Sequence, residues 1–326
     1  MTNSPSTIIH LAAKAVPGAP CDGGMPRSIE WLATAQSKLG YRVVVVAQGG
    51  HATETFEHYR LDRLCGTPLK EAIEASASGQ TIIHFHATDP ETDRATGEDL
   101  DCLGVPFVVT VRGNHRTGAL PLANRVYLSA NHATRHGHSV FVYNGLPVDE
   151  YPLGPGKGGY ALFLGKVSRR KKGADLAIRV ARRGQPVVLA GGWHLKYPAT
   201  WLPFVRSLKV AGTVGGERKL HLLQHADALL FPIKWDEPFG LVLIESLAVG
   251  TPVVATQRGS VAELVEDGIS GIISEPEPEA LEQAIHKAQT LDRGACRQRV
   301  IDHFRIERVA QDYDELYRHA LAGERW

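Results

Sequence analysis

The stretch Trp235-Asp236-Glu237-Pro238-Phe239-Gly240-Leu241-Val242-Leu243-Ile244-Glu245 sets two carboxylates eight positions apart around Pro-Phe-Gly. Proline suits the first turn of a helix, where its missing N–H is one the helix does not use. A helix begun at Pro238 leaves the amides of Phe239, Gly240 and Leu241 pointing out of its N-terminus, which makes an anion site. At roughly 100° per residue, the two carboxylates then differ by about 80° around the axis. Glu237 and Glu245 would both reach one extended ligand, Glu237 near its reactive end and Glu245 near a hydroxyl further along. The plain alternative is a solvated helix with acidic residues near its start, a common arrangement for dipole reasons alone.

Other residues carry weaker signals. The run Arg169-Arg170-Lys171-Lys172 reads as a solvated turn, apart from Lys172. His84 and His86 share one face of a candidate strand. With no third ligand spaced nearby they read as core or lining histidines, and no metal is expected. Asp89 follows the end of that strand, where a parallel sheet presents ligand-facing residues, and is a candidate acceptor contact. Asn131, His132, His136 and His138 read as a loop of solvated histidines. Gly154-Pro155-Gly156-Lys157-Gly158-Gly159 lacks the Gly-Lys-Ser/Thr ending of a phosphate loop. No Gly-x-Ser-x-Gly setting argues for a serine hydrolase.

The elements that must position these residues alternate between short β-branched runs and helical patterns. Strands are expected at 7–11, 42–48, 81–86, 106–111, 125–128 and 139–143, then at 160–164, 186–190, 226–232, 251–255 and 271–273. Continuous apolar runs such as Val43-Val44-Val45-Val46 suit parallel strands covered on both faces. Helical patterns lie between them, at 25–39, 175–183, 219–224, 240–249 and 279–288. This alternation implies doubly wound α/β architecture. The proline- and glycine-rich stretch 149–159 is the best linker.

Composition excludes several classes. In 326 residues, 36 Lys and Arg balance 35 Asp and Glu, for a net charge of +1. This is far from the basic excess of a protein held mainly by nucleic-acid phosphates, and no nucleic-acid partner is expected. No apolar run approaches the ~20 residues of a spanning helix. Met1–Ala13 has no charged lead before its apolar run and does not read as a signal peptide. The four cysteines, Cys21, Cys65, Cys102 and Cys296, form no C-x-x-C pair. A reducing, cytoplasmic location is expected.

The segment Glu237–Glu245, followed by Ser-Leu-Ala-Val-Gly-Thr-Pro-Val-Val-Ala-Thr and Gly259–Gly271, closely resembles the retaining glycosyltransferases of family 4, with their Glu-x7-Glu motif and GT-B fold. Further matches fall in the family's order: Asp22-Gly23-Gly24, Val142–Asp149, Phe163–Ser168 with Lys172-Gly173, and Leu189–Gly192. The resemblance implies that Lys172, and Lys166 in place of the usual Arg, hold the donor diphosphate. It implies that Glu245 receives the nucleotide ribose and Glu237 the transferred sugar's hydroxyls, with the amides of Phe239, Gly240 and Leu241 touching sugar or phosphate. Gly23 and Gly24 would let the backbone approach the diphosphate. Where many members place a His facing the acceptor, this chain has Val111-Arg112-Gly113-Asn114-His115. Either Arg112 replaces that His or His115 takes its place; an Arg there suits a negatively charged acceptor or donor group, or a structural ion pair.

The expectation is a GT-B enzyme of two Rossmann-like doubly wound parallel-sheet domains facing across a cleft. Residues 1–148, joined by a C-terminal helix over 306–326, would bind the acceptor. Residues 149–159 would link them to a donor domain over 160–305. The implied reaction is metal-independent transfer, with retention, from a UDP-, GDP- or other NDP-sugar to a hydroxyl of a small soluble acceptor. No obligate cofactor is implied. A nucleotide-sugar epimerase or phosphorylase on the same fold, or a non-catalytic sugar-nucleotide-binding protein, are the alternatives. The base, the sugar, the acceptor and the oligomeric state are not legible.

Overall fold

Continuous apolar runs become buried central strands in both halves of the chain. The computed structural model describes residues 4–19, 21–88, 90–114, 122–200 and 204–326. These divide into two units, Met1–Leu146 with Ile306–Trp326, and Pro147–Arg305. In the first unit the strands are β1 (Thr7–Val16), β2 (Arg42–Gly50), β3 (Glu57–Arg60), β4 (Thr81–Ala87), β5 (Phe107–Val111) and β6 (Arg125–Val126), in the order β3-β2-β1-β4-β5-β6. In the second they are β7 (Ala161–Leu164), β8 (Val187–Ala190), β9 (Leu208–Gly212), β10 (Ala228–Phe231), β11 (Val253–Thr256) and β12 (Gly271–Ser274), in the order β12-β11-β10-β7-β8-β9. The pairings within each sheet are parallel. Counted within its unit, each sheet has the same order, with the chain reversing direction of travel between β1 and β4 and between β7 and β10. These are the two Rossmann-like sheets that the strand–helix alternation predicts.

Period-two alternation distributes the first unit's core over both sheet faces. Ile9, Leu11, Val44, Val46, Ile83 and Phe85 pack with Leu69, Ala72 and Ile73 of the helix Thr67–Ser76. On the other face Ile8, Ile82, Val108 and Val126 meet Val309, Ala310, Tyr313 and Tyr317 of the terminal helix Ile306–Leu321. That same face of β1 and β4 carries His10, His84 and His86 among its apolar neighbours.

Three features depart from the sequence pattern. The edge strands β3 and β9 were not anticipated, because Glu57-His58-Tyr59-Arg60 has no apolar face and β9 stays only half-buried. Residues 139–143 form no strand; they contribute one isolated bridge, Tyr127 to Phe141. The glycine-rich stretch is bound along the second unit: Gly154, Gly156 and Gly158 donate to the carbonyls of Val249, Gln224 and His225 at 2.9, 2.9 and 2.8 Å. A Cβ on Gly154 would lie 2.4 Å from the Gln224 oxygen, so close approach requires glycine there.

Candidate functional site

At the C-terminal ends of β7 and β10 two loops are drawn together by glycine. Gly173 has φ +80° and sits so close to Pro232 that a Cβ would lie 1.8 Å from its carbonyl oxygen. Lys234 donates its backbone N–H to the Lys171 carbonyl at 2.9 Å. This contact brings the Lys172 ammonium to Oε2 of Glu237 at 2.5 Å, and the Trp235 indole N–H donates to the same oxygen at 2.8 Å. Lys171 lies over the Trp235 ring at 3.2 Å, a cation–π contact that holds the indole in place. Burial, and then the neighbouring Lys172 charge, lower the Lys171 pKa. The Glu237 backbone is fixed from the other side, with Ser260 N–H on its carbonyl at 3.1 Å. Gly259 approaches there with φ +58°, and a Cβ would be 2.4 Å from the Glu237 nitrogen. Both interactions on the Glu237 carboxylate fall on Oε2, which leaves Oε1 open to accept from a ligand hydroxyl. Sequence reasoning missed Trp235, although it stands two residues before Glu237. Lys166 also follows β7 and is exposed.

The helix after Glu237 corrects one expectation. It spans Leu241–Ala248, with Gly240 at φ 88° as its N-cap. The left-handed residue delays the helix by three positions, so Pro238 and Phe239 belong to the preceding turn. Glu237 and Glu245 therefore do not share a helix, and the angular argument does not apply. Phe239 turns its side chain into the core, edge-on to Phe304 at 6.0 Å. Leu241 opens the helix, and its amide is among those the helix leaves unbonded; those of Phe239 and Gly240 precede it.

Glu245 is buried at 1% exposure. Its Oε1 accepts from Lys219 Nζ at 2.7 Å and from the Tyr151 hydroxyl at 2.9 Å. Neither partner was anticipated. Lys219 shares the inner face of the helix Gly216–His225 with Leu223, four residues on, and a lysine on that stripe is the signal.

In the first unit, Gly23 is the N-cap of the helix Gly24–Lys38, whose first turn has no side-chain cap and no acidic residue. A Cβ on Gly23 would meet nothing within 4 Å, so the space beside this turn is open. Arg112, directly after β5, donates from Nη1 to Asn144 Oδ1 at 2.7 Å and Ser28 Oγ at 3.0 Å, and from Nη2 to His86 Nδ1 at 2.9 Å. The structural ion pair weighed for it is absent among the described residues. Asp89 and His115 lie outside the described residues. His132 is buried on the helix Ala130–Arg135, which corrects its reading as a solvated loop residue. Its Nε2 meets the Gly113 carbonyl at 3.1 Å and so braces the turn after Arg112.

The histidine pair gains a third member. Parallel register sets His10 opposite His84, and ring nitrogens of His10, His84 and His86 lie within 4.8 Å of one another. Sequence spacing does not reveal a ligand on a neighbouring strand 74 positions away. All six ring nitrogens have protein partners. His10 meets His86 at 3.0 Å and Gln36 at 2.7 Å, His84 meets Tyr317 at 2.7 Å and Thr110 at 2.6 Å, and His86 also meets Arg112. Such an array presents no common set of free lone pairs to a cation. Burial holds all three neutral, pushing His10 down to about 4 and His84 and His86 well below their ordinary value.

The family model described as Glycosyl transferases group 1 matches residues 152–302. The match takes in nearly the whole of unit 2, which is similar to the group 1 glycosyl transferases over that length. It contains Lys166, Lys172, Glu237 and Glu245. The chain is 35% identical to a glycogen synthase of Mycobacterium tuberculosis over 129 residues, 37% of this chain and 31% of that protein. It is 28% identical to a D-inositol 3-phosphate glycosyltransferase of Nocardiopsis dassonvillei over 242 residues, 65% of this chain and 54% of that one. The chain thus spans about a third to a half of the length of these curated relatives. Among solved structures, AviGT4, a glycosyltransferase involved in avilamycin A biosynthesis, superposes with a TM-score of 0.80 at 23% identity, covering 99% of this chain and 100% of that one. Anabaena HepE in complex with UDP and glucose does so with a TM-score of 0.72 at 16% identity, covering 95% and 98%. The fold is the GT-B fold of these glycosyltransferases. Among the described residues, no helix is long and apolar enough to cross a membrane.

Proposed function

We propose that the chain is a retaining glycosyltransferase that moves a sugar from a nucleotide-sugar donor to a hydroxyl of a small soluble acceptor, without an obligate metal. One observation carries the reading: Lys172, Trp235 and Glu237 converge within 2.5–2.8 Å at the ends of β7 and β10, where open α/β sheets bind ligands. In this reading Lys172 and the exposed Lys166 neutralise the donor diphosphate as its charge develops. Glu237, oriented by Lys172 and Trp235, accepts on Oε1 from the transferred sugar's hydroxyls. Glu245, fixed by Lys219 and Tyr151, receives the ribose, and the Leu241 amide with the turn at Phe239–Gly240 touches sugar or phosphate. The first unit supplies the acceptor site. The acceptor oxygen bonds to the anomeric carbon on the face the diphosphate leaves, and the departing phosphate oxygen takes the acceptor's proton. The HepE complex with UDP and glucose supports a nucleotide-sugar donor.

The test is a mass-spectrometric panel of UDP-, GDP-, ADP- and dTDP-sugars, read for release of free nucleotide and sugar. One donor is expected to be turned over selectively. Glu237→Ala and Lys172→Ala are each expected to slow that release by about a hundredfold or more, the usual loss when one electrostatic contact to the developing charge is removed. Near-normal release in both variants sinks the assignment.

A further inference from the structure

A trough of about 740 Å³ lies in the second unit, toward the N-terminal ends of its strands. Gly158 and Tyr160 precede β7 there, Pro186 precedes β8 and Ser207 precedes β9. Lys172 and Glu237 stand at the other rim of this parallel sheet, past the C-terminal ends of β7 and β10. The volume is that of a small-molecule site, ~300–1,000 Å³.

One wall is the helix Gly216–His225. Arg218, His221, Leu222 and His225 recur at helical spacing and form a stripe beside the inner one that Lys219 and Leu223 occupy. The other wall is the sheet. Leu208 and Val210 turn to the opposite face, into the core, so Lys209 between them projects toward the trough. Val188, its register partner on β8, supplies apolar surface beside it. Tyr160 ties the two walls together, its hydroxyl donating to the Leu222 carbonyl at 3.0 Å.

Charge is segregated here. Five basic side chains, of Arg206, Lys209, Arg218, His221 and His225, line the trough, and no carboxylate does. Elsewhere in this unit cations meet acids: Arg183 meets Glu279 and Glu282, Lys234 meets Asp175, and Arg299 meets Glu266. Among the described residues Arg206 and Lys209 have no hydrogen-bond or ion-pair partner. Arg218 has one, the Ala211 carbonyl, at 2.9 Å from Nη2. Asp227, which neighbours Tyr160, accepts instead from the Gly159 amide and from Gln289. Unopposed cations around a low-dielectric recess raise a positive potential within it.

We propose that this trough is a binding site for an organic phosphate, its phosphate met by the trough's cations and its carbon body by Tyr160, Val188 and Leu222. Arginine and lysine supply the charged donors that phosphate oxygens accept. The site is independent of the glycosyl-transfer reading, whose diphosphate belongs at the opposite ends of the strands. The rival explanation for phosphate binding to this chain is that donor site.

The probe is 1-naphthyl phosphate, titrated by calorimetry into the full chain with and without saturating UDP. It is expected to bind the trough in both conditions. 1-Naphthol, which keeps the ring and lacks the charge, is expected to bind about tenfold or more weakly, the range for lost hydrogen bonds between charged groups. Lys209→Gln and Arg218→Gln are each expected to weaken the phosphate about tenfold for the same reason. Lys209 is exposed and unpartnered, so its replacement leaves no buried group without a bond. No binding of the probe, equal affinity for 1-naphthol, unchanged affinity in both variants, or binding abolished by UDP overturns the proposal. Absence of UDP binding in the unaltered chain sinks the glycosyl-transfer reading instead, and the variants still judge the trough.

Discussion

Acid is expected to loosen the first unit through its three buried histidines. The folded pKa of His10 is about 4, set first by burial, opposed by the Gln36 hydrogen bond and reinforced by the Arg112 charge. His84 and His86 are depressed well below 6.5, again first by burial and then by neighbouring histidine and Arg112 charges. In the unfolded chain each histidine titrates near 6.5. The unfolded state therefore takes up protons first, and stability that is present above about pH 6.5 is lost as the pH falls toward the folded values. Integrated from pH 7 to pH 5, His10 alone costs about 2 kcal/mol, and His84 and His86 add to the loss in the same direction. A domain's whole stability is about 5–15 kcal/mol, so this loss is large. The perturbation is His10→Gln, which deletes one titrating ring. Urea unfolding at pH 7, 6 and 5 would measure the slope, and hydrogen exchange of the β1 and β4 amides would assign it to this unit. The variant is expected to lose about 2 kcal/mol less than the parent over the same interval. Equal losses in the two proteins, or β1 and β4 protection indifferent to pH, would refute the burial argument.

Two further outcomes concern the second unit. Gly173→Ala combines a φ of +80° with a Cβ 1.8 Å from the Pro232 oxygen; it is expected to cost about 3 kcal/mol in thermal or urea unfolding, and a cost near zero would show that the two loops part easily. Lys219→Met leaves the buried Glu245 carboxylate without its ammonium and is expected to cost about 3–5 kcal/mol. Adding Glu245→Gln should recover most of this, and a double variant no more stable than Lys219→Met would argue against the ion pair as the cause.

Elements buried on both faces were legible because their composition leaves few other choices. Val43–Val46 and Leu229–Phe231 are near-continuous apolar runs and lie in strands. Helices with a strong apolar stripe, such as Ala174–Arg182, were placed within a residue or so. The edge strands β3 and β9 were missed for the converse reason, since a strand paired on one side can be polar, while the edge strands β6 and β12 were placed. The helix Arg293–His303 failed because only Cys296 and Val300 of it are buried, which leaves little pattern to read.

The candidate site divides in the same way. Residue types and local turns belong to the sequence: Glu237 beside Pro-Phe-Gly, Lys172 before Gly173, and the family order of these motifs. Local chemistry suffices for them because each depends on neighbours a few positions away. What each side chain meets is set by strand order and register. Lys172 reaches Glu237 across 65 positions, Lys219 reaches Glu245 from another helix, and His10 joins His84 and His86 through the β1–β4 register. The missing counter-charge at Arg112 is of this kind too. A sequence rich in carboxylates says nothing of which cations they reach, because a charge is compensated within a few ångströms of space, and those ångströms exist only once the sheets are assembled.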